Sequence, residues 1–575
     1  MKTCRIEPAG ESALYVYLGD EISVPVNLRV YALKRLLDER RIEGVGEVIP
    51  AYHSLLVQHD PFVLPFDALR AMILSFEEEI PEAAESVSES VEIPVCYGGE
   101  YGPDLPLAAE LEGKSEEEVK AIHRDADYRS YLIGFAPGQP YLGRDSEPYS
   151  FGRRDTPRTK IPAGSVVVQK NLCCILPIDS PCGWNIIGRT PLRLFDPTRK
   201  EPFLLKPGQN LRFREINEDE FMRLQEEKTP AASAEAAVPS PAGPFVEVLR
   251  PGLLTSVQDG GIAGMESYGI SPSGAMDLHS LHLANLLAGN PPDSAALEIT
   301  LQGPVLRVSC PAVAAVCGAD FELKRNSEPL PMRTAFRLQA GDVLSFGACR
   351  SGCRAYLAFS GSFGLPSFLG SLSTTLKLGM GGFRGRKLEA GDLLPLREAR
   401  SGLPVTHGLP PEKQTPGRLR VLPGPQAELF SEEGLAVFYG TAYAVTPASN
   451  RQGCRLSGKA VTMKVSVNII SEGIVTGAVQ VPPDGQPIIM TAERQTCGGY
   501  PKIATVIAAD LPVLAQCRPG DLVRFEPVSP ETALAAAEAW NNYENALRNW
   551  LEKREGSAPE QALESMDYQC EIIEE

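Results

Sequence analysis

Four segments of the chain repeat one short pattern: a small residue or proline, then glycine, then an alternating apolar strand. They are KPGQNLRF at 206–213, AGDVLSFG at 340–347, AGDLLPLR at 390–397 and RPGDLVRF at 518–525. The glycine allows a tight turn with positive φ, and the alternation lets the following strand cover one face of a buried sheet. Four copies in β-rich surroundings predict a chain built largely from repeated β-barrels.

A low-complexity segment divides the chain. Residues 229–244, TPAASAEAAVPSPAGP, are rich in proline, alanine and serine, a composition typical of a linker. Two strand-like and two helix-like patterns before residue 88 indicate a small α+β unit, and residues 89–215 suit a barrel or a sandwich. The predicted fold class is mainly β with an α+β N-terminal subdomain. The predicted boundaries are 1–88 (α+β unit), 89–225 (barrel), 226–244 (linker), 245–410 and 411–530 (two further barrels) and 531–575 (helix and acidic tail).

Composition limits the partners of the chain. A formal net charge of −18 opposes binding to nucleic acid or to an anionic membrane surface. The N-terminus lacks a signal-peptide layout, and no apolar run approaches the roughly 20 residues that span a bilayer. The thirteen cysteines are scattered and odd in number, which favours reduced thiols. We therefore expect a cytoplasmic protein with neither a nucleic-acid nor a membrane partner.

Several common site motifs are missing or weak. There is no GxxxxGK[ST] phosphate loop, and GMGGFRGRK carries Arg384 where a third glycine would stand, which favours an exposed basic hairpin over an anion-binding loop. His279 and His282 lie three apart in a helical pattern, a spacing better explained by the helix than by a metal site, so no metal ligands are predicted. VTMKV reads as a continuous strand with Lys464 at its surface, not as a biotin attachment turn.

The first half of the chain contains a cationic stretch beside an irregular loop. GFAPGQPYLGR holds Tyr141, and RRDTPRTKIPAG concentrates cations that include Arg158 and Lys160. In an acidic protein such a cluster suits a phosphate or carboxylate, although a solvated charge run is an equal alternative. Arg189, in SPCGWNIIGR, adds a guanidinium that can donate two parallel hydrogen bonds.

The second half contains polar residues on glycine-rich turns. Asp259 follows SVQ and is a candidate base, whereas Asp277 is better explained as the cap of the helix that follows it. Gln480 and Gln495 carry planar amides able to pair with an amide-like substrate. Lys502 follows the tight QTCGGYPK turn and is a further catalytic candidate.

These motifs resemble those of a known pair of families. GFAPGQPYLG, TPRTKIPAGSV and GWNIIGRTPLRLFDP resemble segments of the allophanate-hydrolase-subunit-1 family. TSVQDGG, GISPSGAMD, SEGIVTGAVQVPPDGQPI and QTCGGYPKIATV resemble the subunit-2 family. The match covers about 5–225 and 245–527, in the order of the two small 5-oxoprolinase subunits joined end to end. The resemblance implies cyclophilin-like β-barrels in both halves.

The sequence departs from the family pattern at several positions. Ile262 and Leu372 stand where family members usually carry arginine. The SDRMG segment reads SNRQG, with Asn450 and Gln452, and Gln139 replaces an aromatic residue. The loss of two arginines and an aspartate bears on the choice of substrate and on the strength of activity.

The resemblance implies three alternative activities. The first is an ATP-dependent 5-oxoprolinase, in which the chain acts with a larger subunit on a small amide substrate, and ATP with Mg²⁺ binds this chain or is shared with that partner. The second is a carboxyltransferase of the urea carboxylase type, which would need a biotin carrier in trans because this chain carries no biotin. The third is a non-enzymatic regulator of a sporulation histidine kinase. Pairing of the halves within one chain or across a homo-oligomer stays open.

The first activity assigns roles to the candidate residues. A lactam is a poor electrophile, and phosphorylation of its oxygen would make the carbonyl carbon susceptible to attack by water. Arg158 and Lys160 are expected to stabilise the transferring phosphoryl group. Asp259 or Glu298 would orient the water or relay a proton, and the two glutamines would hold the amide edge.

Overall fold

The computed structural model describes residues 4–80, 90–144, 149–227, 243–401, 417–465 and 468–553. Four β-rich units follow one another along these ranges, and each contains its own apolar core. Most of the predicted linker, at 228–242, and the tail beyond 553 lie outside the described residues. None of the helices in these ranges is both long and apolar enough to cross a membrane.

The N-terminal unit is a four-stranded antiparallel sheet, in the order β1-β2-β4-β3, with two helices. Helix α1 begins where the hydroxyl of Ser23 accepts the amide of Val26, and it ends at Arg41 in the left-handed region. Its elements are β1 (Arg5–Pro8), β2 (Ala13–Tyr17), α1 (Val24–Arg40), β3 (Val45–Pro50), β4 (Ser54–His59) and α2 (Phe66–Glu77).

The second unit is a closed barrel with the strand order β10-β7-β6-β13-β5-β12-β9, and β8 and β11 form a separate ribbon. Helix α4 starts with a reciprocal capping box between Ser115 and Glu118, which satisfies main-chain amides at the start of the helix. The elements are β5 (Val91–Tyr97), α3 (Leu105–Glu112), α4 (Glu116–Arg124), β6 (Tyr128–Ile133), β7 (Pro140–Arg144), β8 (Arg158–Ile161), β9 (Ser165–Gln169), β10 (Leu172–Ile175), β11 (Ser180–Cys182), β12 (Asn185–Arg189), β13 (Asn210–Glu215) and α5 (Glu218–Glu227).

The third unit is a nine-stranded sheet that forms a half-barrel, because its path ends at β15 and β22 instead of closing. Two long strands, β18 and β21, pair along most of their length through several register shifts, which bend the sheet. The carboxylate of Asp277 accepts the amide of Ser280 and caps α6, as the sequence predicts. The elements are β14 (Phe245–Arg250), β15 (Leu254–Gln258), α6 (Leu278–Leu287), β16 (Ala296–Thr300), β17 (Val305–Val308), β18 (Ala312–Arg325), β19 (Glu328–Pro329), β20 (Thr334–Leu338), β21 (Val343–Phe359) and β22 (Leu393–Pro395).

The C-terminal barrel is closed in the order β23-β30-β27-β28-β25-β24-β31. A short ribbon of β26 and β29 stands outside the barrel, and β26 contacts β3 and β4 of the N-terminal unit. The elements are β23 (Arg418–Pro423), α7 (Glu432–Gly440), β24 (Tyr443–Val445), β25 (Gly453–Ser457), β26 (Glu472–Gly473), β27 (Ala478–Gln480), β28 (Ile488–Met490), β29 (Cys497–Gly498), β30 (Lys502–Val506), α8 (Leu511–Gln516), β31 (Leu522–Pro527) and α9 (Pro530–Lys553).

The repeated glycine turns have the predicted structure. Gly208, Gly341, Gly391 and Gly520 all have positive φ, and β13, β21, β22 and β31 follow them. In both closed barrels this last strand pairs in parallel with the first strand, β13 with β5 and β31 with β23. The mainly β fold class with several barrels is confirmed.

One local prediction is wrong. The VTMKV segment is not a continuous strand, because only Met463 forms an isolated bridge, to Phe430. The segment bends back on the barrel, and the exposed ammonium of Lys464 donates to the main-chain oxygen of Glu428 at 2.7 Å.

Two glycines of the C-terminal barrel provide a matched test of the turn. A Cβ added at Gly520 or at Gly440 would meet no atom within 4 Å, but only Gly520 has a left-handed φ, of 97°. We expect Gly520→Ala to lower the free energy of unfolding by about 1–2 kcal/mol, whereas Gly440→Ala, at the exposed end of α7, raises it by about 0.5 kcal/mol. Chemical denaturation measures both values, and equal effects would contradict the conformational explanation.

A partly buried histidine joins α6 to α9. His282 contacts Glu544 at 2.7 Å and Asp293 at 3.0 Å. Burial opposes its charge, but the two carboxylates raise the pKa of His282 to about 9. Because the folded pKa lies above the unfolded value, this stabilisation is complete below about pH 6.5 and is lost as the pH rises through about 9.

We therefore expect His282→Gln to destabilise the protein by ~3 kcal/mol at pH 6 and by much less at pH 10. Urea denaturation of both proteins across this range measures the difference. A difference that does not change with pH would show that the ion pairs contribute nothing.

Candidate functional site

The two halves of the chain meet at a seam between the N-terminal unit, the first barrel and the C-terminal barrel. The hydroxyl of Tyr15 donates to the main-chain oxygen of Gly473 at 2.7 Å, which fixes β26 against the N-terminal sheet. Tyr52, Tyr131 and Cys497 are buried in one apolar cluster that draws on all three units. The seam is therefore a packed interface between the halves.

Three of the sequence motifs converge at this seam. The amide of Gly138 donates to the main-chain oxygen of Tyr268 at 2.9 Å, which joins the GFAPGQP loop to the residue just before the GISPSG loop. A Cβ added at Gly134 would lie 2.5 Å from the sulfur of Cys497 and 3.3 Å from the hydroxyl of Thr496. Only glycine permits this approach, so the QTCGG turn packs directly on the first half.

Lys502 of β30 and Glu472 of β26 form a buried charge pair. The ammonium of Lys502 lies 2.5 Å from a carboxylate oxygen of Glu472, and both side chains are at most 2% exposed. The amide of Gln426 donates to the same carboxylate at 2.7 Å and to the hydroxyl of Tyr17 at 3.2 Å. Because each charge is paired and hydrogen-bonded, the pair holds a fixed position in the interior.

Two glutamine amides lie close to each other beside Gly498. Gln480 lies opposite Lys502 in the β27–β30 ladder. A Cβ added at Gly498 would lie 2.7 Å from the amide nitrogen of Gln495 and 3.1 Å from that of Gln480. The buried amide nitrogen of Gln480 has no hydrogen-bond partner in the described part of the chain. An unpaired buried donor is costly, and a ligand carbonyl would satisfy it.

Two further polar groups near the seam are buried without partners among the described residues: Nδ1 of His53 and the hydroxyl of Thr496. Burial lowers the pKa of His53, although the carboxylate of Glu472 acts in the opposite direction. The imidazole is therefore neutral near pH 7 and able to accept a proton. A neutral base and unpaired donors are the groups that amide chemistry needs.

Glu298 belongs to a different buried network. Burial alone would raise its pKa, but Arg451, at 2.5 Å, holds the pKa of Glu298 below the usual value. Arg451 also pairs with Glu493 at 2.7 Å, and the hydroxyl of Tyr356 donates to Glu298 at 2.7 Å. Glu298 thus stays ionised, and its contacts tie the third unit to the C-terminal barrel.

Asp259 supports a loop. Its carboxylate accepts hydrogen bonds from the hydroxyls of Ser371 and Ser373, and from the amides of Leu372 and Gly261. These four donors satisfy the carboxylate. Its contacts therefore fit a positioning role better than that of a base.

The cationic stretch of the first barrel is engaged elsewhere. Arg158 forms two hydrogen bonds of 2.7 Å to Asp104. Burial opposes ionisation of that carboxyl, but the hydrogen bonds from Arg158 hold the pKa of Asp104 below its usual value. Lys160 is exposed and pairs with Asp179 at 3.1 Å. Across the described ranges, no hydrogen bond or ion pair links these cations to Gln480.

Of the two remaining candidates, Tyr141 lies at the seam and Arg189 does not. The ring of Tyr141 makes edge contacts with Tyr52 and Trp184, each at 6.2 Å, and packs against the apolar cluster of the seam. Arg189 donates from Nε to the main-chain oxygen of Ala163 at 2.9 Å, inside the first barrel. The structure therefore brings Gln480, Gln495 and Lys502 together with Tyr141 nearby, and leaves the first-barrel cations apart.

Sequence reasoning missed two groups of the site. Glu472 lies in SEGIVTG, a segment used only for the family resemblance, where its glutamate could have been considered as the partner of a lysine. His53 follows a strand in the N-terminal unit and has no motif around it. Its place at the seam depends on packing between units that are distant in the chain.

Comparison with known families defines the class of protein. Residues 4–205 match the model described as "Carboxyltransferase domain, subdomain C and D", and residues 268–527 match "Carboxyltransferase domain, subdomain A and B". The chain thus carries both subdomain pairs of a carboxyltransferase domain.

Known relatives refine this class. The C-type subunit of 5-oxoprolinase from Escherichia coli K12 is 36% identical over 52% of this chain and 96% of its own length. The B-type subunit of 5-oxoprolinase from Bacillus subtilis is 39% identical over 39% of this chain and 97% of its own length. The crystal structure of TTHA0988 superposes with a TM-score of 0.77 at 33% identity, over 89% of this chain and 99% of that one.

Other relatives are urea amidolyases. The chain belongs to the family that unites the B-type and C-type subunits of 5-oxoprolinase with the carboxyltransferase region of urea amidolyase, and here the B-like and C-like halves are fused. The family resemblance predicted from the motifs is confirmed. Its relatives are enzyme components.

Substitutions at the site should separate structural from ligand-binding groups. Lys502→Met leaves the buried carboxylate of Glu472 without its cation, so we expect a loss of about 3–5 kcal/mol in unfolding free energy. Gln480→Met removes an amide nitrogen that donates to no protein group among the described residues, so we expect a change below about 1 kcal/mol. Chemical denaturation provides the test, and similar losses in the two variants would contradict this description of Gln480.

Proposed function

We propose that this chain is the fused B–C component of an ATP-dependent enzyme that opens 5-oxoproline to glutamate together with a larger partner subunit. The observation that supports this most directly is the unpaired amide of Gln480, among the described residues, at a seam built by both halves. Fusion fits a site that needs both halves, and each half matches nearly the full length of one small 5-oxoprolinase subunit.

The seam offers complementary groups for a lactam. The amide nitrogen of Gln480 would donate to the lactam oxygen, and Gln495 would pair with the amide edge beside it. Neutral His53 would accept a proton from the attacking water. The paired charges of Lys502 and Glu472 would keep these groups in fixed positions.

ATP with Mg²⁺ supplies the phosphoryl group that activates the lactam oxygen in this proposal. Arg158 and Lys160, which the sequence suggested for the nucleotide, fit that role poorly. The guanidinium of Arg158 is hydrogen-bonded to Asp104, and Lys160 is exposed and paired with Asp179. The proposal therefore places nucleotide binding on the larger partner and assigns to this chain only the binding of the lactam and the removal of a proton from water.

The decisive experiment measures glutamate formation and ATP hydrolysis from 5-oxoproline, with this chain alone and with the larger subunit. We expect turnover only when both proteins are present. Gln480→Met should reduce turnover at least about tenfold, because it removes a hydrogen bond to the reacting amide. Gln486→Met is the matched control, since the Gln486 amide already pairs with the main chain of Gly458. Absence of glutamate with both proteins present would refute the proposal.

A carboxyltransferase that acts on urea or a similar amide is the second candidate. The matching family models and the urea amidolyase relatives favour it. The carboxylated biotin would have to come from a separate carrier protein, because Lys464 is followed by Val465 and not by the methionine expected after the lysine of a biotin attachment turn. Carboxylation of urea by such a carrier, without 5-oxoproline turnover, would support this candidate over the first. Either turnover would argue against a purely regulatory role toward a histidine kinase.

A further inference from the structure

A cavity lies between the third unit and the C-terminal barrel, and we call it the inter-unit cleft. Its volume is about 440 Å³, within the range of small-molecule sites. Gln480, Gln495 and Lys502 do not line it, so it is distinct from the seam. Its wall comes from β16 and β21 on one side and from the segments 449–454 and 514–519 on the other.

The charged side chains that line the cleft are mostly cationic. Arg354, Lys377 and Arg451 line it, with Glu493 as the opposing carboxylate. Arg451 is already neutralised by Glu298 and Glu493. Three cations against the two carboxylates that pair with Arg451 leave the cleft with a net charge of +1, although the protein as a whole carries −18.

Arg354 is a cation of the cleft with an unsatisfied donor, and its charge also acts on the nearby carboxylate of Glu298. Its Nη1 donates to the main-chain oxygen of Ala515 and contacts the sulfur of Cys353 at 3.7 Å. Within the described ranges it forms no ion pair, and its Nε is buried without a hydrogen-bond partner. A buried guanidinium N–H without an acceptor is costly, and an anionic ligand would remove that cost.

Further polar groups line the cleft. Thr300 is 7% exposed, and its hydroxyl has no partner among the residues that the structure describes. Asn450 and Gln452 line the same cleft, and the carboxamide oxygen of Asn450 accepts the amides of Gln452 and Gly453. An amide at position 450 avoids the negative charge that a carboxylate would place beside a bound anion.

Part of the lining is apolar and consists of Leu514, Val445 and the thiols of Cys353, Cys454 and Cys517. Burial raises the pKa of Cys454 to about 11 and that of Cys517 to about 12, so these thiols are neutral and pack as small apolar groups. A ligand that fills the cleft must combine an anionic head with an apolar body.

We propose that the inter-unit cleft binds an organic carboxylate whose head meets Arg354 and Thr300 and whose body lies on the thiol and aliphatic wall. The apolar wall favours this class over inorganic phosphate, which would leave that wall unfilled. The site stands independently of the amide chemistry proposed for the seam.

Calorimetric titration of the intact chain, without the partner subunit, tests the site. Hexanoate is the probe, because it has a carboxylate and an apolar body but no amide for the seam to recognise. Inorganic phosphate is titrated in parallel. We expect hexanoate to bind and phosphate to bind more weakly. No hexanoate binding, or tighter binding of phosphate, would overturn the proposal.

Variants locate the binding. Arg354→Gln should weaken hexanoate binding about tenfold, the usual effect of losing a charge-assisted hydrogen bond. Arg350→Gln is the matched control, since Arg350 is exposed and pairs with Glu322 at 3.0 Å. Asn450→Asp keeps both hydrogen bonds that its side-chain oxygen accepts and adds a negative charge, so it should also weaken binding even if Arg354→Gln fails to fold. Unchanged affinity in a folded variant at position 354 or 450, or an equal loss in Arg350→Gln, would refute the assignment.

Discussion

Arg451 is buried between two carboxylates that belong to different units: Glu298 on β16 of the third unit and Glu493 in the C-terminal barrel. Its second amino group also donates to the main-chain oxygen of Gly274. Removing one partner from such a network is far more costly than the network's net contribution to stability, because a charge is left alone in the interior. The network therefore acts mainly by selecting one relative position of the two units.

The residues that follow Glu493 make further contacts between the units. Arg494, next to Glu493, pairs with Glu266 at 2.6 Å, and Glu266 accepts the amide of Gln58 from the N-terminal unit at 2.9 Å. Gln495 then turns towards Gly498 and the seam. Glu493 and Arg494 thus contact the third unit, and Glu266 links that unit to the N-terminal unit, so the position of Gln495 depends on the packing of the units.

Much of the fold is encoded locally and could be predicted from the sequence. A glycine before an alternating strand specifies a left-handed turn, as at Gly208, and a serine followed by a glutamate three residues later specifies a helix start, as at Ser115. The failure of the third unit to close could not be predicted, because it depends on the bending of two long strands. The seam glutamines could be proposed because they lie within one short stretch of sequence. The acceptor for Arg158 could not, because Asp104 is 54 residues away.

Lys377 connects the inter-unit cleft with the seam. Its side chain lines the cleft, while its ammonium lies 3.4 Å from the main-chain oxygen of Phe135 in the GFAPGQP loop. Its backbone amide donates to the carboxylate of Glu493 at 3.2 Å. An anion in the cleft would weaken both contacts, because it would attract the ammonium of Lys377 and repel the carboxylate of Glu493. Glu493 and Gln495 are only two residues apart, so one short segment of the chain contributes both to the lining of the cleft and to the amide site.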